Sequence, residues 1–586
     1  MIGVQELIHK LELGAWARPL KVLTALLGVL AFTVWYDFHE YRNFAAPEAM
    51  EAAQLGRNLA AGKGFVTECV RPLTIHLVEK QQGVEARLSH RPHPDLANPP
   101  VYPLLLAGLM KVLPFDYQTG ENFLRYQPEV LIAILNQALF FLMVWLVFRL
   151  ARRLFDGWVA LVTAVVLLGC DTLWRFSVSG LSTMLLLVIW TALVWVLVRL
   201  ELGVREGQAS PTRLVVWALV AGALVGLGGL TRYAFAWVLA PVLVFGALYW
   251  GPRRGALCGC VVLTFLVLMT PWLARNYTVS GTLFGVPGFA LYQETPTFPG
   301  NRLERSLDPD LSQIELQDFL RKLFVNGAQI VREGLPRLGG SWVSVFFLVG
   351  LMLPFRNPAL SRLRVFLLLS LLVLGVVQAL GHTHLSADAP EFNSENLLVL
   401  LAPLVFLFGV GLFFPLLDQL ALPVPELRWG AIGFFTLVGC GSLLFALLPP
   451  RTIPIVYPPY LPPWIRESAQ FLRPNELMMS DMPWAVAWYG DRTCVWTTLD
   501  TDRAFFTIND EHKTISALYL TAMTLNGRLL TELFDDPDWR WGRFAMNILQ
   551  QHSSVPNGFP LQSAWARYIP NQLLLCDWPR WRGRAR

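Results

Sequence analysis

The stretch "APEAMEAAQLGRNLAAGKGF" (46–65) is a polar helix former set a few residues after the first hydrophobic run of the chain. Pro47 suits the first turn of a helix, because the N–H it lacks would find no partner there. Gly62 and Gly64 close the helix. At 100° per residue Glu51, Gln54, Arg57 and Asn58 share one face, and Ala49, Ala52, Ala53, Leu55 and Leu59 share the other. Glu48 projects between Leu55 and Leu59, on the apolar side. Two readings follow. In the plain one, Glu48 complements the helix dipole and Glu51 stands on a solvated face. In the chemical one, a carboxylate half-buried beside lipid has a raised pKa and serves as a general base.

The surroundings explain why the choice matters. The chain has 586 residues, 54% of them hydrophobic and only 15% charged, with 22 Trp and 37 Phe. Apolar runs of about 17–25 residues recur, each long enough to cross a bilayer. The composition therefore reads as a polytopic α-helical membrane protein. The net charge of +5 is small, and no basic tract interleaved with aromatics points to nucleic acid. The first run, 20–36, follows Lys10 and Arg18 and has no small-residue cleavage site after it, so it reads as an uncleaved anchor.

Further spans are expected at 128–150, 157–173, 180–199, 213–230, 234–250, 256–273, 338–354, 363–381, 396–416 and 429–447. The arginine clusters at 149–157, 199–213, 251–255 and 355–364 fall on alternate ends of these spans, and the positive-inside rule makes them cytoplasmic. The short, proline-studded segment "NPPVYPLLLAGLMKVLPF" (98–115) breaks that alternation if counted, so it reads as a helix lying on the outer leaflet. About eleven spans remain, with the N-terminus cytoplasmic and the C-terminus outside. The first outer loop, 37–127, is far longer than a connector needs, and long ordered loops are usually functional.

After Pro449 the spans stop, which divides the chain into a membrane domain, 1–449, and an outer domain, 450–586. In the latter "ELMMSD", "TCVWTT" and "ISALYLT" read as strands and "MPWAVAWYG" as a helix, giving a small extracytoplasmic α/β domain. A Cys494–Cys576 disulfide is compatible with that compartment. The seven cysteines form no metal-binding pattern.

Three stretches, "NPPVYPLLLAGLMKV" (98–112), "GLGGLTRYAFAWVLAP" (226–241) and "PWLARNYTVSGTLFG" (271–285), together with the opening helix, resemble the GT-C glycosyltransferases near the protein mannosyltransferase and aminoarabinose transferase branch. The C-terminal "MMSDMPWAVAWYGDR" is similar to the outer domain of some bacterial members. The resemblance implies the GT-C fold: transmembrane helices plus juxtamembrane helices and the outer α/β domain. It also implies a polyprenyl-phosphate sugar donor, a glycan, lipid or protein acceptor, contact with membrane lipids, and a bacterial inner membrane. In that family an acidic residue on a helix of the first outer loop is catalytic. Here the family's Asp-Glu pair is replaced by Pro47-Glu48, so Glu48 and Glu51 are the two candidates. A second acidic residue is often found in the next outer loop, where this chain offers Ser182 and Thr183.

Arg232 and Arg275 lie at outer ends of spans, the wrong side for the positive-inside rule. They read as interfacial snorkelling cations or, as the resemblance favours, as grips on the donor phosphate. "SHRPHPDLANPP" (89–100) gathers His93, Asp95 and Asn98, and "GHTHLSADAPEFNSEN" (381–396) gathers His382 and His384 with Glu395. Each reads as an ordinary polar loop or as a substrate-binding one, and the His-x-His spacing is compatible with a divalent metal. The rival classes are a transporter or flippase, which needs charges at mid-membrane, and a non-catalytic envelope scaffold.

Overall fold

The computed structural model describes residues 17–41, 43–118, 125–207, 209–352, 357–388, 392–420, 424–448, 461–525, 540–550, 555–565 and 572–581. The expected domain boundary at 449/450, and the linker after it, lie outside the described residues. The chain divides into two compact units, Met1–Asn43 and Phe44–Arg586.

The first unit is one helix, α1 (Ala17–His39), whose Leu20, Leu23, Leu26, Leu27 and Leu30 are all exposed. An exposed apolar stripe on a helix of this length suits a bilayer.

The second unit starts with α2 (Pro47–Ala60), α3 (Pro72–Gln82) and α4 (Val101–Val112), all within the first loop. There follow α5 (Gln127–Leu154), α6 (Gly157–Leu168), α7 (Asp171–Val178), α8 (Thr183–Arg205), α9 (Pro211–Gly229), α10 (Leu239–Tyr249) and α11 (Arg254–Ser280). Next come α12 (Leu316–Gln329), α13 (Trp342–Met352), α14 (Pro358–Leu380), α15 (Ala402–Gln419), α16 (Pro425–Gly439) and α17 (Gly441–Leu447).

Among the described residues seven helices are long and apolar enough to cross a membrane, or up to ten if three bent pairs each count as one span. Against the eleven expected, the segments 157–173, 338–354 and 429–447 belong to these bent pairs, with bends of 58°, 109° and 56°. The segment 234–250 opens as a 3-10 turn, Tyr233–Val238, before α10, and is one of the shorter apolar helices. The 98–115 segment is likewise short, and only twelve residues of it are helical.

The six-stranded sheet, called the outer sheet after its expected side of the membrane, has the order β1-β3-β2-β4-β6-β5. Its strands are β1 (Cys69–Val70), β2 (Leu477–Ser480), β3 (Cys494–Trp496), β4 (Ile515–Leu520), β5 (Ser563–Trp565) and β6 (Leu573–Cys576). The strands β1 to β4 pair in parallel, and β6 runs antiparallel to both β4 and β5. All three expected strands are present. The edge strand β1 comes from the first loop, and Val70, Ile75 and Leu88 of that loop enter one core cluster with Leu477, Met479, Val495 and Leu518. The expected Cys494–Cys576 bridge is absent: both thiols are free and buried, and β2 and β4 stand between their strands.

Candidate active site

Helix α2 is enclosed on both faces. Its alanine face packs on α4, and Gly56 permits that approach, since a Cβ there would come within 2.9 Å of Leu106 Cβ. Its polar face, expected in solvent, is buried as well: Glu51, Gln54 and Asn58 are 4%, 0% and 1% exposed. Other polar segments cover it. Gln54 Oε1 accepts from the Thr67 hydroxyl at 3.1 Å and the Glu68 N–H at 3.3 Å, and Asn58 Nδ2 donates to the Val66 carbonyl at 2.9 Å. Arg57 donates to the Ala487 and Trp488 carbonyls at 2.7 and 2.9 Å and pairs with Asp491 at 2.8 Å.

The two candidate bases differ in their commitments. Glu51 is gripped by Arg71 at 2.6 Å, and Arg71 is also bonded to Glu304, whose other oxygen accepts from Gln293 at 3.0 Å. One buried cation therefore serves two buried carboxylates. Burial raises the Glu51 pKa and outweighs the pull of Arg71. For Glu304 burial is outweighed by Arg71, His384 and the hydrogen bonds of Arg71 and Gln293, so its pKa is lowered. Glu51 is thus the partner of the triad that keeps a proton more readily, and the solvated-face expectation for it fails. Glu48, half-buried in the first turn of α2, has the Ser394 N–H (3.3 Å) and the Ser394 hydroxyl as its partners among the described residues.

The arginines divide in the same way. Arg275 is spent on structure. It donates to the Asp95 carbonyl at 2.6 Å, the Asn276 side chain at 3.0 Å and the Phe65 carbonyl at 3.3 Å, and it lies over the Trp272 ring. Arg232 donates through Nη2 to Ser182 and Thr183, each at 3.2 Å, while its Nη1 is buried without a partner among the described residues. Burial lowers the Arg232 pKa to about 10, against the opposing fields of Glu48 and Glu395, so it stays cationic at neutral pH. The residues standing where the family shows a second acid thus hold this arginine.

Glu395 faces the same arginine. It accepts from Thr383 through both backbone and hydroxyl and from the Ser386 hydroxyl, and burial raises its pKa. Ser386 and Asn396 line a cavity of about 120 Å³, with Leu173, Asn326, Gln378 and His382 among its other walls. Ser394, which holds the Glu48 carboxylate, stands two residues before Asn396 of the cavity wall. His382 Nδ1 and His384 Nδ1 are also buried without partners among the described residues. Buried polar atoms are nearly always paired in folded proteins, and clusters of exceptions mark ligand sites.

The 89–100 loop is not brought to this site. His93 hydrogen-bonds Thr74 Oγ1 at 2.8 Å, and burial, with the charges of His512 and Arg91, lowers its pKa to about 3. Asp95 caps its own turn, accepting from the Ala97 and Asn98 N–H groups at 2.8 and 2.9 Å and from Asn98 Nδ2 at 2.9 Å. These residues and Arg275 shape the loop. Among the described residues no group of three His, Cys, Asp or Glu could hold a metal ion, so the His382–His384 pair gains no further ligand there. Sequence reasoning gave no role to Arg71, Glu304 or Ser394, whose partners at the site lie outside their own local segments. Only Glu395 carried a signal, as an acid in an outer loop expected to face the first.

Comparison with known proteins gives two findings. Residues 98–274 match the family model described as dolichyl-phosphate-mannose-protein mannosyltransferase. Among solved structures, ArnT from Cupriavidus metallidurans bound to undecaprenyl phosphate aligns with TM-score 0.52 at 13% identity, over 95% of this chain and 98% of that one. Its apo form aligns with TM-score 0.50 at 14% identity, over 96% and 98%. At such identities the likeness is one of fold. The Archaeoglobus fulgidus oligosaccharyltransferase in its apo form aligns less well, with TM-score 0.48 at 10% identity, over 86% of this chain and 70% of that one. No curated protein matches the sequence.

Proposed function

We propose, for a chain that is a GT-C membrane glycosyltransferase of the mannosyltransferase and aminoarabinose-transferase type, that it moves a glycosyl group from a polyprenyl-phosphate carrier to an acceptor at the outer membrane face. The match over 98–274 and the undecaprenyl-phosphate-bound relative favour a lipid-phosphate donor. They also weigh against the transporter and scaffold readings.

Glu48 takes the proton of the acceptor hydroxyl. The acceptor oxygen forms the new bond to the anomeric carbon as the bond from that carbon to the phosphate oxygen breaks. A single displacement inverts the centre. Arg232 offsets the charge growing on the leaving phosphate, the kind of electrostatic contribution that dominates many enzymes. The observation that carries this reading is the free capacity at one place: an arginine N–H with no partner among the described residues, in the field of a carboxylate whose partner among them is Ser394. The acceptor remains a glycan, lipid or protein hydroxyl. The outer sheet unit, extracytoplasmic in a bacterial inner membrane with the N-terminus inside, helps to select it.

Purified protein in lipid extract, given a panel of radiolabelled polyprenyl-phosphate sugars, should release label from one carrier class, and Glu48→Gln should stop it. An Arg232→Gln variant should lose donor turnover as well. Full activity in Glu48→Gln with none in Glu51→Gln would move the base to Glu51. A requirement for divalent cation, read with and without EDTA, would add a metal to the reaction.

A further inference from the structure

Glu129 lies in the first turn of α5 and is 0% exposed. Its carboxylate accepts from three donors on two distant parts of the chain. Oε2 takes the Phe44 N–H at 2.7 Å, and Oε1 takes the Trp488 indole N–H at 2.8 Å and the Tyr489 hydroxyl at 2.6 Å. Phe44 comes just before α2, which starts at Pro47. Its ring is seated on Gly180, where φ is +77° and a Cβ would come within 2.3 Å of Phe44 Cζ. Gly180 in turn precedes Ser182 and Thr183, the platform of Arg232.

Trp488 and Tyr489 belong to the turn Val486–Gly490 of the outer sheet unit. The same turn receives Arg57, from the last turn of α2, on its Ala487 and Trp488 carbonyls. The entry of α2 is bonded to Glu129 directly, and its exit is bonded to the same 486–490 segment whose Trp488 and Tyr489 side chains Glu129 holds.

We propose that Glu129 is a positioning residue of the active site, a joint through which the outer sheet unit sets α2 and so holds Glu48 beside Arg232. The reading rests on Glu48 being the base. The chemistry needs a carboxylate: two oxygens with about four lone pairs take three donors, whereas an amide offers one oxygen and turns its own N–H toward a donor. The contacts alone would also be satisfied by a merely structural brace. The two roles part at the effect on α2.

The test is hydrogen exchange and turnover on full-length protein. Glu129→Gln should speed amide exchange about tenfold in peptides over 46–61 and over 484–491, leaving 402–419 unchanged. It should lower kcat about tenfold with the donor KM unchanged, since it displaces the base rather than the carrier. Tyr489→Phe removes one donor and keeps the ring, and should act in the same direction by about threefold. Should Glu129→Gln unfold the protein, Tyr489→Phe decides alone. Faster exchange at 484–491 without any at 46–61, or a raised KM with kcat intact, overturns the proposal. If the wild type turns over no lipid-linked sugar while the exchange at 46–61 still follows residue 129, the assignment of the reaction fails and the joint stands.

Discussion

Glu48 and Glu51 sit one turn apart on the same helix, yet among the described residues Glu48 is hydrogen-bonded by Ser394 alone while Glu51 is locked to Arg71 and, through it, to Glu304. Arg232 and Arg275 repeat the contrast. Both stand at or just past the ends of apolar helices, but Arg275 is consumed by backbone carbonyls and Arg232 keeps a buried N–H without a partner among the described residues. Residue type is the same within each pair. What differs is the capacity left over after the fold has taken its share. On the proposed reading, Glu51 with Arg71 and Arg275 holds the architecture together, and Glu48 with Arg232 is left for a substrate to satisfy.

The comparison breaks most sharply at the two glutamates. Glu48→Gln should lower kcat by about 10²–10⁴-fold, the usual contribution of a general base, with an unchanged melting curve. A stable Glu48→Gln protein with normal turnover would erase the distinction. Arg71→Met should do the reverse. It leaves Glu51 and Glu304 buried together without their cation, a loss of about 3–5 kcal/mol that denaturant melts in detergent would read. Folded molecules of that variant should keep their turnover. If instead Arg71→Met melts normally but is inactive, the triad belongs to the chemistry.

Much of the architecture was legible because its signals are local. Apolar runs marked the membrane helices, Pro47 and Gly62 bracketed α2, and three of the outer strands announced themselves as β-rich runs. Strand β1 did not, since two residues carry no periodicity and their pairing with Cys494 and Val495 spans most of the chain. The helical wheel separated the two faces of α2 correctly but could not say what covers them. A polar face is satisfied equally by water and by the carbonyls of Ala487 and Trp488. For the same reason the wheel favoured neither Glu48 nor Glu51, and composition favoured neither Arg232 nor Arg275. Those choices depend on partners from 20 to 346 residues away.

The structural side of the comparison also has a pH signature. His93 is buried neutral, with its pKa lowered to about 3 from an ordinary 6.5. The unfolded chain takes up a proton there below pH 6.5 and the folded chain does not. Its contribution is therefore complete above about pH 6.5 and is lost on acidification toward pH 3. At pH 5 the loss is about 2 kcal/mol, at up to about 1.4 kcal/mol per pH unit. His93→Gln, which can still bond Thr74, should flatten this limb of the acid melting curve. An equally steep limb in the variant would place the proton uptake on another group.

The smallest effect sharpens the contrast between the arginines. Lysine keeps the charge but not the fork of donors. At Arg275, which reaches the Asp95 and Phe65 carbonyls through different nitrogens, lysine can keep only part of the network. Arg275→Lys should cost about 1 kcal/mol in stability, the worth of a lost hydrogen bond, and leave donor KM within about threefold. At Arg232 the free N–H is the point, and Arg232→Lys should change donor KM or kcat by more than it changes stability. The two substitutions thus separate two uses of the same side chain. If Arg275→Lys proved the more damaging to turnover, the carbonyls it braces, at Phe65 and Asp95, would have to be counted within the site, and the first loop would no longer divide into a scaffold and a reactive end.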